Sequence, residues 1–189
     1  MVVTAGAGVH TAPAGEGTPV VRARLITETT EISGAFVVGL GFTIAPDWYM
    51  YWKNPGDAGL PLDVRWRLPA GFRVMPFEYP TPEKIVHDDL VAYGYYGELL
   101  VQCTVIPPPE YVARAGDVIR ADLEWLVCKE SCVLERDTLL LVMKGSGDAT
   151  ARSAGDLFGP FRAQLPLPRS ARNTVAGAPV LRTEDGQLV

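Results

Sequence analysis

The stretch WLVCKESCVLE, from Trp125 to Glu135, places two cysteines four positions apart in a short loop between two apolar strands. Apolar and polar residues alternate around the loop, which is the pattern of half-buried β-strands. Four interpretations of Cys128 and Cys132 are open at this point: a structural disulfide, a metal clip, a redox pair, or two thiols without a special role. Each interpretation gives the protein a different function.

Similar strand patterns recur along the central part of the chain, separated by turn signals. The seven candidate strands are Val20–Glu28, Ala35–Ile44, Leu62–Leu68, Arg73–Glu78, Glu98–Ile106, Asp117–Val127 and Val133–Met143. The proline-rich segment NPGDAGLP, Asn54–Pro61, is predicted to lie outside central strands because proline lacks the ladder N–H. Seven short strands predict an all-β fold, an immunoglobulin-like antiparallel β-sandwich.

The character of the chain changes at both ends of this region. Residues 1–18 are rich in alanine, glycine and threonine and are predicted to be a flexible leader, followed by the sandwich over residues 19–144. Residues 145–189 are expected to hold a polar linker, a short helix in DLFGPFRAQLPLP, and the beginning of a second, truncated β-domain. The chain is therefore expected to be a piece of a longer protein.

Composition excludes several classes of protein. The chain has 189 residues, of which 48% are hydrophobic and 21% are charged, and this suits a globular protein with a core. The net charge of −5 argues against binding to nucleic acid. The longest apolar run, AFVVGLGFTIAP (Ala35–Pro46), is too short to span a bilayer, and the first residues lack the basic start of a signal peptide.

A purely structural bridge would stabilise the protein weakly. A bridge between Cys128 and Cys132 closes a loop of about five residues, for which loop entropy gives roughly 2 kcal/mol. A disulfide that joins distant segments would contribute more.

A metal site would need further ligands. Zinc is usually bound by four ligands in two close pairs, and this chain has one close pair. Copper(I) accepts fewer and softer ligands. The additional candidates are Cys103, His10 and His87 for zinc, and Met50, Met75, Met143 and Cys103 for copper(I).

A redox pair needs one sulfur that a partner thiol can reach, and a short loop between strands can provide it. Lys129 favours a thiolate at Cys128, whereas Glu130 opposes it, so a strongly activated thiol is not expected. This combination favours a carrier that receives electrons and passes them on. Cys103 is interpreted as a buried core thiol.

Three stretches, in order, resemble one family. They are WYMYWKNPGDAGLP (Trp48–Pro61), VAYGYYGE (Val91–Glu98) and DLEWLVCKESC (Asp122–Cys132). Together they are similar to the N-terminal periplasmic domain of the DsbD-type thiol:disulfide interchange proteins, and in particular to the ScsB branch, named for suppression of copper sensitivity. The resemblance covers roughly Val20 to Met143. It implies an immunoglobulin-like sandwich with a redox-active cysteine pair, located in the periplasm as the soluble domain of an inner-membrane protein.

The resemblance also implies an electron relay. A membrane domain and a thioredoxin-like domain of the same full-length protein would supply electrons, and the present domain would reduce periplasmic disulfide isomerases or related thioredoxin-fold proteins. This is the activity of a protein-disulfide reductase, and it needs no cofactor. Matched by position, Cys132 is the attacking thiol and Cys128 the resolving one. The chain has three residues between the cysteines, whereas the best-known members have five.

Further residues are implied to line or shield the pair. Tyr49 and Tyr51 match tyrosines that line the redox site, and the segment HDDLVAYGYYGE matches a cap loop. The candidate cap residues are Asp88, Asp89, Tyr93, Tyr95 and Tyr96. His87 is interpreted as a surface turn residue. Two alternatives stay open: a copper-binding β-domain that uses the same thiols, and an interaction module in which the disulfide is only a brace.

Overall fold

Two antiparallel β-sheets pack face to face in the computed structural model, and this confirms the predicted all-β sandwich. The structure describes residues 19–29, 32, 34–87, 89–112, 114, 116–143, 155–166, 183–184 and 187–188. The predicted leader at 1–18 and most of the predicted linker lie outside these ranges.

The first sheet has four strands in the order β1-β2-β8-β5. These strands are β1 (Val21–Thr27), β2 (Phe36–Ile44), β5 (Arg73–Val74) and β8 (Glu98–Ile106). Alternate side chains of these strands point toward the second sheet. The inner residues, such as Val38, Leu40 and Phe42, are therefore completely buried.

The second sheet carries the cysteine pair. Its strands follow the order β10-β9-β3-β7-β6, and β4 pairs with β9 on the same side as β3. The bounds are β3 (Tyr49–Gly56), β4 (Asp63–Arg67), β6 (Glu83–His87), β7 (Leu90–Tyr96), β9 (Val118–Cys128) and β10 (Cys132–Val142). β10 is an edge strand, so the cysteine hairpin lies at one side of this sheet.

Three of these strands were not among the predicted seven: β3, β6 and β7. The expectation that Asn54–Pro61 lies outside central strands was wrong for its first part, because β3 is central and continues through Pro55 to Gly56. The pairing register of β3 with β7 shifts between Tyr51 and Gly56. Pro55 lies within this irregularity, where regular ladder hydrogen bonds are interrupted, so its missing N–H is tolerated.

The main core lies between the sheets and joins their central strands. Phe42 of β2 and Trp125 of β9 meet edge to face, with ring centroids 5.6 Å apart. Met50 and Val127 lie beside them on the inner face of the second sheet. Since β9 turns Trp125 and Val127 inward, it turns Leu126 and Cys128 outward.

A short helix, α1 (Gly155–Arg162), covers the outer face of the first sheet. Phe158 is fully buried there against Ile26 and Leu100. The guanidinium of Arg162 donates to both carboxylate oxygens of Glu28, at 2.6 and 2.7 Å. A further two-stranded pairing joins β11 (Thr183–Glu184) to β12 (Gln187–Leu188). Within the described ranges, no helix has the length and apolarity needed to cross a membrane.

Candidate functional site

The cysteine pair closes the hairpin between β9 and β10. Cys128 is the last residue of β9, Cys132 is the first of β10, and the two are register partners joined by a disulfide. Within the loop, the Lys129 N–H donates to the carbonyl of Ser131 at 3.1 Å. The two sulfurs differ in environment, since Cys128 is 1% exposed whereas Cys132 is exposed. Cys132 is therefore the more accessible cysteine of the pair.

A cluster of buried side chains on the outer face of the second sheet explains the burial of Cys128. We call it the tyrosine cluster, and its members are Tyr49, Tyr51, Ile85, Ala92 and Cys128. Tyr49 and Tyr51 share this face because alternate residues of a strand point the same way, as expected from the sequence. Tyr49 is also the register partner of Cys128 across β3 and β9. The cluster thus places two phenol groups beside the inner sulfur.

The phenol groups form a hydrogen-bonded chain that ends on that sulfur. The hydroxyl of Tyr51 donates to the Sγ of Cys128 at 3.3 Å, and the hydroxyls of Tyr49 and Tyr51 are 3.4 Å apart. A phenol has one proton to donate. Since Tyr51 donates to sulfur, Tyr49 is the donor in the contact between the two hydroxyls. This arrangement favours negative charge on Cys128 when the disulfide opens.

Burial keeps the outer member of this chain neutral. Desolvation, together with the hydrogen bond to Tyr51, raises the pKa of Tyr49 to about 12. Tyr49 therefore stays protonated to a higher pH than an ordinary tyrosine and can act as the donor described above. Its ring packs edge to face on Tyr51, with centroids 5.3 Å apart.

The predicted cap segment forms part of a β-hairpin, because β6 and β7 together cover most of it. Tyr96 faces the tyrosine cluster, and its ring centroid is 5.7 Å from that of Tyr49. Tyr95 points to the opposite face, where it is buried in the main core and donates to the carbonyl of Pro80.

The remaining described cap candidates, Tyr93 and Asp89, lie outside the tyrosine cluster. The Tyr93 ring packs against Trp52, which is also on the inner side of the sheet. Asp89 lies in the turn between β6 and β7, and Asp88 lies outside the described residues. Strand alternation separates Tyr96 from Tyr93 and Tyr95, so the structure brings Tyr96 alone of these three to the site.

His87 is an exposed residue beside the turn between β6 and β7, close to the predicted surface turn, and it also contacts the tyrosine cluster. It is the last residue of β6, and its ring stacks on Tyr49 with centroids 6.1 Å apart and planes 24° apart. The stacking depends on the pairing of β6 with β7, a pairing that was not predicted from the sequence.

The charges beside the disulfide are partly neutralised. The ammonium of Lys129 lies 3.0 Å from the carboxylate of Asp47 in the turn between β2 and β3. Asp47 has a backbone φ of 67°, a conformation that non-glycine residues seldom adopt. The pair tethers the cysteine loop to the start of β3, which carries Tyr49 and Tyr51.

Three of the additional metal ligands considered from the sequence lie in the main core, and His10 lies outside the described residues. Cys103 is 2% exposed in the main core, where Met50 and Met143 are also buried. Burial and, secondarily, the negative charge of Glu78 raise the pKa of Cys103 to about 12, so its thiol is protonated near neutral pH. Among the described residues, no group of three or more His, Cys, Asp or Glu side chains could hold a metal ion.

Fold and site together define a β-sandwich that carries one exposed and one buried sulfur in a disulfide at the end of a hairpin. Residues 22–144 match the family model described as "Thiol:disulfide interchange protein DsbD, N-terminal". Since the match spans more than half of the chain, the protein belongs to the DsbD N-terminal domain family. No curated protein matches the chain.

Solved structures that are similar to the chain include two periplasmic or DsbD N-terminal domains. The N-terminal periplasmic domain of ScsB from Proteus mirabilis is 17% identical, with a TM-score of 0.63 over 83% of this chain and 59% of that one. The reduced N-terminal domain of DsbD from Neisseria meningitidis is 16% identical, with a TM-score of 0.43 over 65% of this chain and 86% of that one. The first similarity confirms the fold, and the present chain spans 59% of the length of that ScsB domain.

Proposed function

We propose that this protein is a periplasmic thiol–disulfide exchange domain that uses Cys132 as the attacking thiol and Cys128 as the resolving thiol. The observation that carries this proposal is the contrast in exposure between two sulfurs that are register partners. A partner can reach Cys132, whereas Cys128 is covered by the tyrosine cluster. Membership of the DsbD N-terminal domain family supports the same chemistry.

The reaction transfers two electrons to a partner disulfide. The Cys132 thiolate attacks one partner sulfur, which forms a mixed disulfide and releases the other partner sulfur as a thiolate. The Cys128 thiolate then attacks Cys132, which closes the internal disulfide and releases the second partner thiolate. The attacking thiols lose their protons to solvent, and the released thiolates take up protons from it.

Regeneration is the reverse process with a donor dithiol. We propose that a thioredoxin-like or membrane domain of the same full-length protein attacks Cys132, and that the resulting mixed disulfide is resolved by the donor's second thiol. The acceptor is proposed to be a thioredoxin-fold protein of the periplasm, such as a disulfide isomerase. No cofactor enters either half of the cycle, since thiolate exchange supplies the chemistry.

The surface next to Cys132 suits a protein partner. Val133 and Leu134 follow Cys132 on the edge strand β10 and are 40% and 41% exposed. Exposed apolar side chains beside an exposed sulfur offer contact area to a docking protein.

Single-cysteine variants test the proposed roles. Cys128→Ala and Cys132→Ala would be reduced, desalted and mixed with oxidised glutathione, and the products would be weighed by mass spectrometry. Cys128→Ala should accumulate one glutathione on Cys132, whereas Cys132→Ala should stay unmodified on the same time scale. The reduced parent protein should pass through the adduct to the internal disulfide and release two molecules of reduced glutathione. Equal labelling of both variants, or a parent protein that forms no internal disulfide, would refute the proposal.

A further inference from the structure

The loop that follows β3 is fixed to β7 by its first residues. The backbone N–H of Asp57 donates to the carbonyl of Val91 at 2.9 Å, and the N–H of Val91 donates to the Asp57 carboxylate at 2.8 Å. Gly56 has a φ of 98°, and a Cβ at this position would overlap the same Val91 carbonyl. Only glycine permits this close approach, and the two hydrogen bonds hold the start of the loop against β7.

The same loop then lies against the ring of Tyr51. Gly59 has a φ of 110°, and a Cβ added to it would overlap the Cδ1, Cε1 and Cζ atoms of Tyr51. Cζ is the ring carbon that bears the hydroxyl. The backbone of Gly59 therefore supports the part of the ring from which the hydrogen bond to sulfur is made.

Besides this support from Gly59, the hydroxyl of Tyr51 contacts the buried sulfur of Cys128. This hydroxyl donates to the Sγ of Cys128 at 3.3 Å, and the whole side chain of Tyr51 is only 6% exposed. Two features of the loop thus determine one contact: the anchor at Val91 sets the position of the loop, and Gly59 sets the position of the ring.

We propose that residues 57–59 are a positioning clamp that holds the Tyr51 hydroxyl on Cys128 and thereby speeds the opening of the Cys128–Cys132 disulfide. This inference rests on the proposed exchange function and deepens it. A donor thiolate attacks the Sγ of Cys132, a bond forms between these two sulfurs, and the Cys128–Cys132 bond breaks with its electron pair on Cys128. The hydroxyl of Tyr51 donates to the sulfur on which that negative charge develops.

The clamp acts through Tyr51, so Gly59 and Asp57 are positioning residues. Nothing in the sequence alone marks Gly59, because a glycine has no side chain and the ring that it supports lies in the preceding strand. Asp57 lies in the segment Asn54–Pro61, and its carboxylate anchors this loop to Val91.

The test compares two glycine substitutions with similar backbone strain. Gly59 and Gly116 have φ values of 110° and 96°, but a Cβ at Gly116 would meet nothing within 4 Å. The rate at which dithiothreitol reduces the disulfide would be measured for the oxidised parent protein, Gly59→Ala and Gly116→Ala. Gly59→Ala should slow reduction roughly tenfold, the value of one hydrogen bond to a charged group, while Gly116→Ala should keep the parent rate.

A double-mutant cycle separates positioning from a general structural effect. In a Tyr51→Phe background the hydroxyl is already absent, so adding Gly59→Ala should change the rate little. Should Gly59→Ala fail to fold, Asp57→Ala removes the side-chain anchor and should slow reduction in the same direction. Equal or faster reduction in the clamp variants, or an effect of Gly59→Ala that persists in the Tyr51→Phe background, would overturn the inference.

Failure of the clamp is distinguishable from failure of the proposed function. A parent protein that is reduced readily, with clamp variants that match Gly116→Ala, would contradict the clamp alone. A parent disulfide that resists dithiothreitol as strongly as a structural bridge would contradict the exchange function and, with it, the clamp.

Discussion

The hydroxyl of Tyr51 and the Sγ of Cys128 are hydrogen-bonded at 3.3 Å beneath a surface on which Cys132 is exposed. One cysteine of the disulfide is therefore exposed, and the sulfur of the other accepts a hydrogen bond from a buried hydroxyl. In an exchange reaction the attacked sulfur and the leaving sulfur need these two different environments. In the proposed reaction this contact would make Cys128 the better leaving group, with Cys132 as the attacked sulfur.

Removing this hydroxyl should slow opening of the disulfide. Tyr51→Phe keeps the ring but removes the donor, so the developing thiolate on Cys128 loses a hydrogen bond of about 1.5 kcal/mol or more, which is roughly tenfold in rate. The measurement is the rate of reduction by dithiothreitol, followed by thiol trapping. Tyr93→Phe is the matched control, because the Tyr93 ring packs on Trp52 instead. Equal rates for the two variants would show that the hydroxyl has no part in the reaction.

Cys103 should be inert in the native protein and should make stability depend on alkaline pH. Burial, and then the charge of Glu78, raises the pKa of Cys103 to about 12 from an ordinary value of 9.0. The protonated Cys103 thiol therefore contributes its full stabilisation at pH values below the ordinary pKa. This stabilisation is lost as the pH rises toward about 12. In reduced protein near neutral pH, iodoacetamide should label Cys132 and leave Cys103 unlabelled until the protein is unfolded.

The Cys103→Ala variant provides the control for the alkaline effect. Denaturant unfolding of the oxidised protein should show a smaller loss of stability between about pH 9 and pH 10 in this variant than in the parent. Identical pH dependence, or rapid labelling of Cys103 in the folded protein, would contradict the assignment.

Glu135 should stabilise the cysteine hairpin by tying it to the start of β1. Its carboxylate accepts hydrogen bonds from the backbone N–H groups of Val20 and Val21, at 2.9 and 3.2 Å, and from the indole of Trp125 at 3.1 Å. Glu135→Ala leaves three donors without this partner and should lower the free energy of unfolding by about 1–3 kcal/mol. Glu130→Ala, in the exposed loop, should change it by less than about 0.5 kcal/mol. Similar denaturation midpoints for the two variants would show that the hydrogen bonds of Glu135 do not stabilise the hairpin.

Asp122 should make the protein sensitive to acid. The hydrogen bond from Arg120 lowers its pKa, with smaller help from Thr138 and Arg67, against the opposing effect of burial. A lowered pKa in the folded state gives stability that is present above the ordinary value of 3.8 and lost as pH falls through the folded value. Asp122→Asn should therefore lose less stability than the parent between about pH 5 and pH 3. Parallel curves of unfolding free energy against pH would contradict this expectation.

The sequence predicted the sandwich and the cysteine hairpin because their strands alternate clearly. In β9, for example, Trp125 and Val127 face the core while Leu126 and Cys128 face outward. Alternation did not place β3 among the seven predicted strands, although the family resemblance implied a strand with Tyr49 and Tyr51 on one face; Tyr49, Met50 and Tyr51 are all buried. Both faces of the sheet are covered at β3. Its sequence therefore lacks the polar residues that alternate with apolar ones in a half-buried strand.

The details of the site depend on contacts that local patterns do not contain. The three tyrosines of β7 lie close together in the sequence, but strand alternation places Tyr93 and Tyr95 on one face of the sheet and Tyr96 on the other. Of these three, Tyr96 contacts Tyr49. His87 reaches the same ring through the pairing of β6 with β7. The support that Gly59 gives to Tyr51 depends on backbone conformation, which a glycine in a turn permits but does not specify.

The reduction potential of the Cys128–Cys132 pair tests the exchange function most directly. The protein would be equilibrated in dithiothreitol or glutathione buffers, its free thiols would be trapped by alkylation, and the fraction reduced would be counted by mass. The account predicts a potential between those of thioredoxin and protein disulfide isomerase, about −270 to −180 mV. A value below about −300 mV, typical of structural bridges, would contradict it.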